Sequence, residues 1–140
     1  MPAIRPIALA VPRRGDDLLV FEYHDATKHQ TFYRPLGGGI EFGETAEAAV
    51  HREMREELGV GLLDVRLLGV LENIFQAFGG AGHEIVFVFG CRLADAALYE
   101  RDAVGEILDD RGTKVMWRPL GGFGADRPLY PHGLAGLLRG

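Results

Sequence analysis

The stretch Gly38-Gly39-Ile40-Glu41-Phe42-Gly43-Glu44-Thr45-Ala46-Glu47-Ala48-Ala49-Val50-His51-Arg52-Glu53-Met54-Arg55-Glu56-Glu57-Leu58-Gly59-Val60 decides how the rest of the chain is read. From Thr45 onward, Ala46, Ala49, Val50, Met54 and Leu58 recur at helical spacing. Thr45 is placed to cap the helix N-terminus, Glu47 puts a negative charge in its first turn, and Gly59 stops it. Glu53, Glu56 and Glu57 stand at i, i+3 and i+4, so one side of this helix carries all three carboxylates. Like charges at these spacings cost a helix roughly 0.2–0.5 kcal/mol per pair. A solvated acidic face is one reading of them. A compensating cation is the other, and clustered hard oxygen ligands suit Mg²⁺ or Mn²⁺.

Outward from the helix, the chain reads as strands. Ile4 to Val11 and Leu18 to His24 form two, separated by a turn from Pro12 to Asp17, and Thr31 to Leu36 forms a third, closed by a loop of Gly37, Gly38 and Gly39. Val65 to Ile74 and His83 to Leu93 follow. The second carries Ile85-Val86-Phe87-Val88-Phe89, apolar on both faces, as expected of a central strand. Lys114 to Pro119 is one more strand, and a short helix starting at Pro131-His132 ends the pattern, with Leu134, Leu137 and Leu138 on one side. Strands around one strong helix, with a second at the end, predict an α/β (α+β) fold: a mixed sheet between helices, in a single domain over residues 1–140.

Composition narrows the function classes. With 140 residues, 47% hydrophobic and 25% charged, the chain has the size and balance of one soluble globular domain. A net charge of −5 argues against an extended nucleic-acid partner but not against a small polyanion, since bound metal reverses a local carboxylate field. Cys91 is the single cysteine, which excludes a disulfide framework and a thiolate zinc site and marks it as a buried strand residue. No segment has the apolar length of a membrane span, and the N-terminus lacks a basic region followed by an apolar run, so a cytoplasmic protein is expected.

The glycine-to-valine stretch resembles the signature box of the Nudix hydrolase family: Gly, five residues, Glu, seven residues, Arg-Glu, an aliphatic residue, any residue, Glu-Glu, any residue, Gly, an aliphatic residue. Gly38, Glu44, Arg52, Glu53, Met54, Glu56, Glu57, Gly59 and Val60 fill every fixed position. The resemblance implies a Nudix-type α/β/α sandwich. It also implies a Mg²⁺-dependent hydrolase, with Mn²⁺ as an alternative, that cleaves a phosphoanhydride in a nucleoside diphosphate linked to another group. By the same resemblance Glu56 and Glu57 are metal ligands, and Glu53 is a further ligand or the general base. A carbonyl of Gly37 or Gly38 adds a ligand, Arg52 orients a neighbouring glutamate, and Glu44 ties loop to helix or reaches the metal through water.

Some relatives take the base from outside the box. Glu84 is the leading candidate here, because strand alternation sets it on the face of Val86 and Val88; Glu72 and Glu106 are weaker ones. Arg34 beside the glycines is a candidate phosphate contact, and Phe75 and Phe78 are candidate stacking residues for a nucleobase, with solvent exposure and core packing as their respective alternatives. Gly79 to Gly82 is expected to be a mobile turn, and His51 an exposed residue of the box helix. The expected partner is a small nucleotide-type molecule, such as a nucleotide sugar, a nucleoside triphosphate or a dinucleoside polyphosphate. No membrane is expected, and a homodimer is an admissible assembly. The competing function is a Nudix-fold module that senses a nucleotide without hydrolysing it. Such modules commonly lose box glutamates, and this chain keeps all of them.

Overall fold

The computed structural model describes residues 2–140. Its strands are β1 (Arg5–Arg14), β2 (Asp17–Asp25), β3 (Gln30–Arg34), β4 (Leu36–Gly39), β5 (Leu62–Ala77), β6 (Gly80–Leu93), β7 (Ala103–Ile107) and β8 (Asp110–Pro119), and its α-helices are α1 (Ala46–Leu58) and α2 (Leu134–Arg139). The strands lie in the order β5-β6-β1-β2-β8-β7, with β3 beside β2 and β4 beside β1. β1 and β6 run parallel and the other pairs antiparallel, so the sheet is mixed. The fold is the expected one, with a helix packed on each side.

Alternation in the central strands builds both cores. Ala8, Ala10, Phe89 and Cys91 meet Ala49, Val50 and Met54 of α1 on one side. Ile7, Leu9, Val86 and Val88 meet Leu134 of α2 on the other. Burying apolar side chains on both faces stabilises each by about 1.5–3 kcal/mol, which is why β6 is apolar throughout. Cys91 is buried as expected, and burial pushes its thiol up to about 11.

Helix α1 has the predicted limits. The Thr45 side chain accepts from the Ala48 N–H, and Gly59 closes the helix at φ 73°, its N–H returning to the Arg55 carbonyl. Four expectations change. The β1–β2 turn is shorter than the predicted Pro12–Asp17 loop, because β1 runs to Arg14 and Gly15 takes the tight position at φ 59°. Gly37, Gly38 and Gly39 are not a loop but strand β4, paired with Leu9, Ala8 and Ile7 of β1. At Gly37 (φ 148°) a Cβ would overlap the Ala8 carbonyl oxygen, so the close strand approach itself demands glycine. Gly80 to Gly82 belong to β6 rather than to a mobile turn. Finally, β7, whose Ala103-Val104-Gly105-Glu106-Ile107 run lacks a marked strand composition, exists through its pairing with β8.

Candidate active site

Strand β4 and helix α1 meet at the glycines. Gly38 faces Glu53 so closely that a Cβ would lie 2.6 Å from the Glu53 Cδ. The Gly37 N–H donates to Glu57 Oε1 at 2.8 Å. Arg52 organises the rest. It grips Glu44 with two bonds of 2.8 and 2.9 Å and donates to the Gly39 carbonyl at 2.9 Å. Its Nη1 reaches Glu53 at 3.0 Å and Glu56 at 3.2 Å. Glu44 also accepts from the Glu41 N–H, so one guanidinium fastens the approach loop, strand β4 and helix α1 together. The Arg52 bonds hold the Glu44 carboxyl down at about 2.

The three helix carboxylates sit at different depths. The Glu56 side chain is 49% exposed and that of Glu53 15%. Burial raises the Glu53 carboxyl above its usual range. Glu57 is pushed up to about 8, first by burial and then by the charges of Glu53 and Asp109, against the opposing bond from Gly37. Among the described residues no three acidic, histidine or cysteine side chains converge as a ready-made metal cage. The expected ligand triad is therefore not closed: Arg52 bonds Glu53 and Glu56 through one nitrogen, while the Gly37 N–H bonds Glu57. The donor chemistry nonetheless fits a hard divalent cation, with two carboxylates raised first by burial, Glu57 further by the charges of Glu53 and Asp109, and Glu53 by those of Glu56 and Asp109.

Glu84 is 3% exposed on the face of Val86 and Val88, as alternation predicted. It is not hydrogen-bonded to the box glutamates. Its Oε1 accepts from Arg34 and from Asn73, each at 3.4 Å, and Arg5 lies 4.0 Å from Oε2. Arg34 thus stands against Glu84, and its positive charge is also felt at Glu57. Glu72 is exposed, and Glu106 accepts from the Gly112 N–H in the β7–β8 hairpin. His51 is half-buried rather than exposed.

Arg34, Phe75 and Phe78, separate in sequence, line one cavity between β2, β3 and the β5–β6 turn. Tyr23, Phe32 and Tyr130 add further rings, with Phe78 6.0 Å from Tyr23 and 6.1 Å from Phe32. The Phe75 ring lies over Gly82, where a Cβ would collide with it. Asp25, 1% exposed, fixes the far wall: it accepts from the Phe78 N–H at 2.7 Å and from the Thr27 hydroxyl at 2.6 Å. These bonds, the Thr27 hydroxyl foremost, hold its carboxyl below the usual range.

Sequence reading missed Asp25, Asn73 and Asp109. Asn73 gives a legible signal as a polar residue inside the strand-like run Val65 to Ile74, whereas Asp25 only follows the run Leu18 to His24. Asp109 has no such signal: the Leu108 N–H bonds the Glu57 carbonyl, and this brings the β7–β8 turn to the end of α1.

Residues 3–120 match the NUDIX domain. The chain belongs to the NUDIX family. Relatives include a protein named NAD-capped RNA hydrolase NudC from Mycobacterium tuberculosis, 35% identical over 115 residues, covering 76% of this chain and 36% of the relative. A protein of the same name from Pasteurella multocida is 38% identical over 69 residues, covering 49% and 25%. This NUDIX chain therefore spans about a third or less of the length of these curated relatives. Among solved structures, a MutT NUDIX hydrolase from Burkholderia pseudomallei has a TM-score of 0.68 at 23% identity, covering 98% of this chain and 97% of that one. The E. coli ORF135 protein has 0.59 at 19%, covering 98% and 88%. At these identities the likeness is one of fold. Among the described residues no helix is long and apolar enough to cross a membrane.

Proposed function

We propose that this chain is a divalent-metal-dependent hydrolase, served by Mg²⁺ or Mn²⁺, that cleaves a phosphoanhydride bond in a nucleoside diphosphate linked to another group. The observation that carries this reading is the placement of Glu57 and Glu53 beside the β4 glycines, where burial first, and then the charges of neighbouring carboxylates, hold both above the usual carboxylate range. Such a pair is ill-suited to a merely solvated face and well suited to a cation. Glu53, Glu56 and Glu57, with a carbonyl of Gly37 or Gly38, would hold the metal. When bound it supplies charge neutralisation at the phosphates and a more acidic water.

The chain's own residues do the rest. Arg52 holds Glu53 and Glu56 in register with β4, so their carboxylates are positioned before substrate arrives. Glu53 is the proposed base. Glu84 is assigned instead to holding Arg34 and Asn73, two residues that line the aromatic cavity, where Arg34 meets a phosphate and Phe75 and Phe78 meet the base. The name of the relatives, NAD-capped RNA hydrolase, adds NAD to the substrate panel beside nucleotide sugars and triphosphates.

The test is turnover of that panel with Mg²⁺ and Mn²⁺, products identified by mass, in wild type, Glu53→Gln and Glu57→Gln. Both variants are expected to lose at least about 100-fold in kcat while remaining folded. Wild-type turnover in both would refute the assignment. Binding without turnover by the wild type would favour the nucleotide-sensing alternative.

A further inference from the structure

A groove adjoins the aromatic cavity and has no part in the site described so far. Phe75 and Phe78 line both hollows, and Arg5, His83 and Glu84 line the groove. Strand register puts Arg5 there. β1 and β6 pair in parallel with Arg5 beside Glu84, and neighbours in register share a face of the sheet. The same guanidinium also stands at β4: a Cβ on Gly39 would lie 3.4 Å from its Nη2, and the Gly39 carbonyl is the one that accepts from Arg52. Arg5 thus links the groove to the strand that faces Glu53 and Glu57.

Charge leaves this arrangement incomplete. Arg34 and Arg5 share a single buried carboxylate, at 3.4 Å from Oε1 and 4.0 Å from Oε2 of Glu84. Two cations over one anion leave a positive charge in excess. The Arg5 contact is too long for a hydrogen bond, and its side chain is 64% exposed, so its donors are open to a ligand. Across the two hollows, Arg5, Lys28 and Arg34 stand against Asp25 and Glu84, a positive lining in a chain whose net charge is −5. A pair of guanidiniums in such a spot suits a polyanion.

We propose that Arg5 and Arg34, positioned by Glu84, cradle the diphosphate, and that the groove beyond Arg5 receives a sugar linked to it. The proposal rests on the hydrolase reading above and narrows its substrate class to nucleoside diphosphate sugars. Arg34 takes the phosphate next to the nucleoside in the aromatic cavity, and Arg5 takes the second. Beyond Arg5 the groove offers the walls of Pro2, Ala3, Phe75 and Phe78, which suit the face of a ring. It offers no further lysine or arginine, so the third phosphate of a triphosphate would lie there without a guanidinium or ammonium partner.

The test titrates AMP, ADP and ADP-glucose, and the matching uridine series, into the metal-free protein by calorimetry, so that binding is read without catalysis. In whichever series binds, Arg5→Ala should weaken the diphosphate and its glucose ester by about tenfold, and the monophosphate by less than about threefold. Arg5→Lys keeps the charge and should recover part of the loss. Ala3→Trp fills the groove and should weaken the glucose ester by at least about fivefold, leaving the diphosphate within about twofold. Arg5 and Ala3 are exposed, so these variants should fold, which melting curves check. With Mg²⁺, wild-type kcat/KM should favour the glucose ester over the triphosphate of the same base by about tenfold or more. No loss at Arg5→Ala, a loss shared equally by the monophosphate, no binding in either series, or a preference for the triphosphate would overturn the proposal. Arg5-dependent diphosphate binding without turnover would sink the hydrolase reading and leave the cradle standing. Turnover of the glucose ester with a KM unmoved by Arg5→Ala would do the reverse.

Discussion

Replacing Glu57 by glutamine should stabilise the metal-free protein, and the size of the gain should depend on pH. The Glu57 carboxyl is held at about 8, against 4.5 for a free side chain. The folded state therefore prefers the proton, and binds more of it than the unfolded chain does between these values. Stability attached to this group is fully present below pH 4.5 and is lost as pH rises through 8. At 1.36 kcal/mol per unit, a fully transmitted shift amounts to about 4 kcal/mol at pH 8 and under about 1 kcal/mol at pH 5. Glutamine removes the charge but keeps an oxygen for the Gly37 N–H, so the 2.8 Å bond that ties α1 to β4 survives. The repulsion from Glu53 and Asp109 disappears with the charge.

In a chelator at pH 8, the variant should melt about 5–15 °C above wild type, given a few degrees per kcal/mol for a domain of this size. At pH 5 the two curves should nearly coincide. Adding Mg²⁺ at pH 8 should raise the wild-type Tm and narrow the gap, because a ligand that binds only the folded state stabilises it by mass action. The assay is thermal unfolding followed by circular dichroism across pH 5–8, with and without Mg²⁺. A variant that melts at or below wild type in chelator at pH 8 would refute the reasoning and assign Glu57 a structural role. So would a gap of equal size at pH 5.

The two glycines of β4 should respond differently to alanine. Gly37→Ala drives a Cβ into the Ala8 carbonyl at positive φ, and should cost about 3 kcal/mol or more in denaturant titration. Gly38→Ala presses on the end of a side chain, Glu53; it should cost about 1–2 kcal/mol yet lower kcat by about 100-fold, because the displaced carboxylate loses its position. Arg52→Lys cannot reproduce the two-bond grip on Glu44 while reaching Glu53, Glu56 and Gly39. It should lower Tm by several degrees and weaken the Mg²⁺-induced shift. Asp25→Ala frees the backbone of Phe78, and should raise KM for every nucleotide by roughly tenfold while kcat changes little, since only the cavity wall is loosened.

What could be read from the residues, and what could not, divides along one physical line. Helix α1 was legible to its caps because a helix is decided within a few residues: Thr45 answers Ala48, and Gly59 answers Arg55. The carboxylates at Glu53, Glu56 and Glu57 were legible for the same reason, since their spacing fixes their common side whatever lies opposite. Their depths were not legible. Glu57 is half-buried and Glu56 exposed because β4 and the β7–β8 turn cover one edge of the helix and leave the other open, and neither neighbour is local to it. The glycines of β4 read as a loop because glycine alone has no strand preference; Ala8 and Leu9, some 30 positions earlier, make them a strand. Asn73 is the clearest instance. Within its own strand it is one polar residue among several, directly after Glu72, and its contacts appear only when the β5–β6 register sets it opposite Glu84. The face of the helix that suggests the reaction is written locally, whereas the groups proposed to choose the substrate are created by pairing between strands. A variant series confined to the helix will therefore report on catalysis, and changes at Arg5, Asp25 and Arg34 are the ones that will report on what is bound.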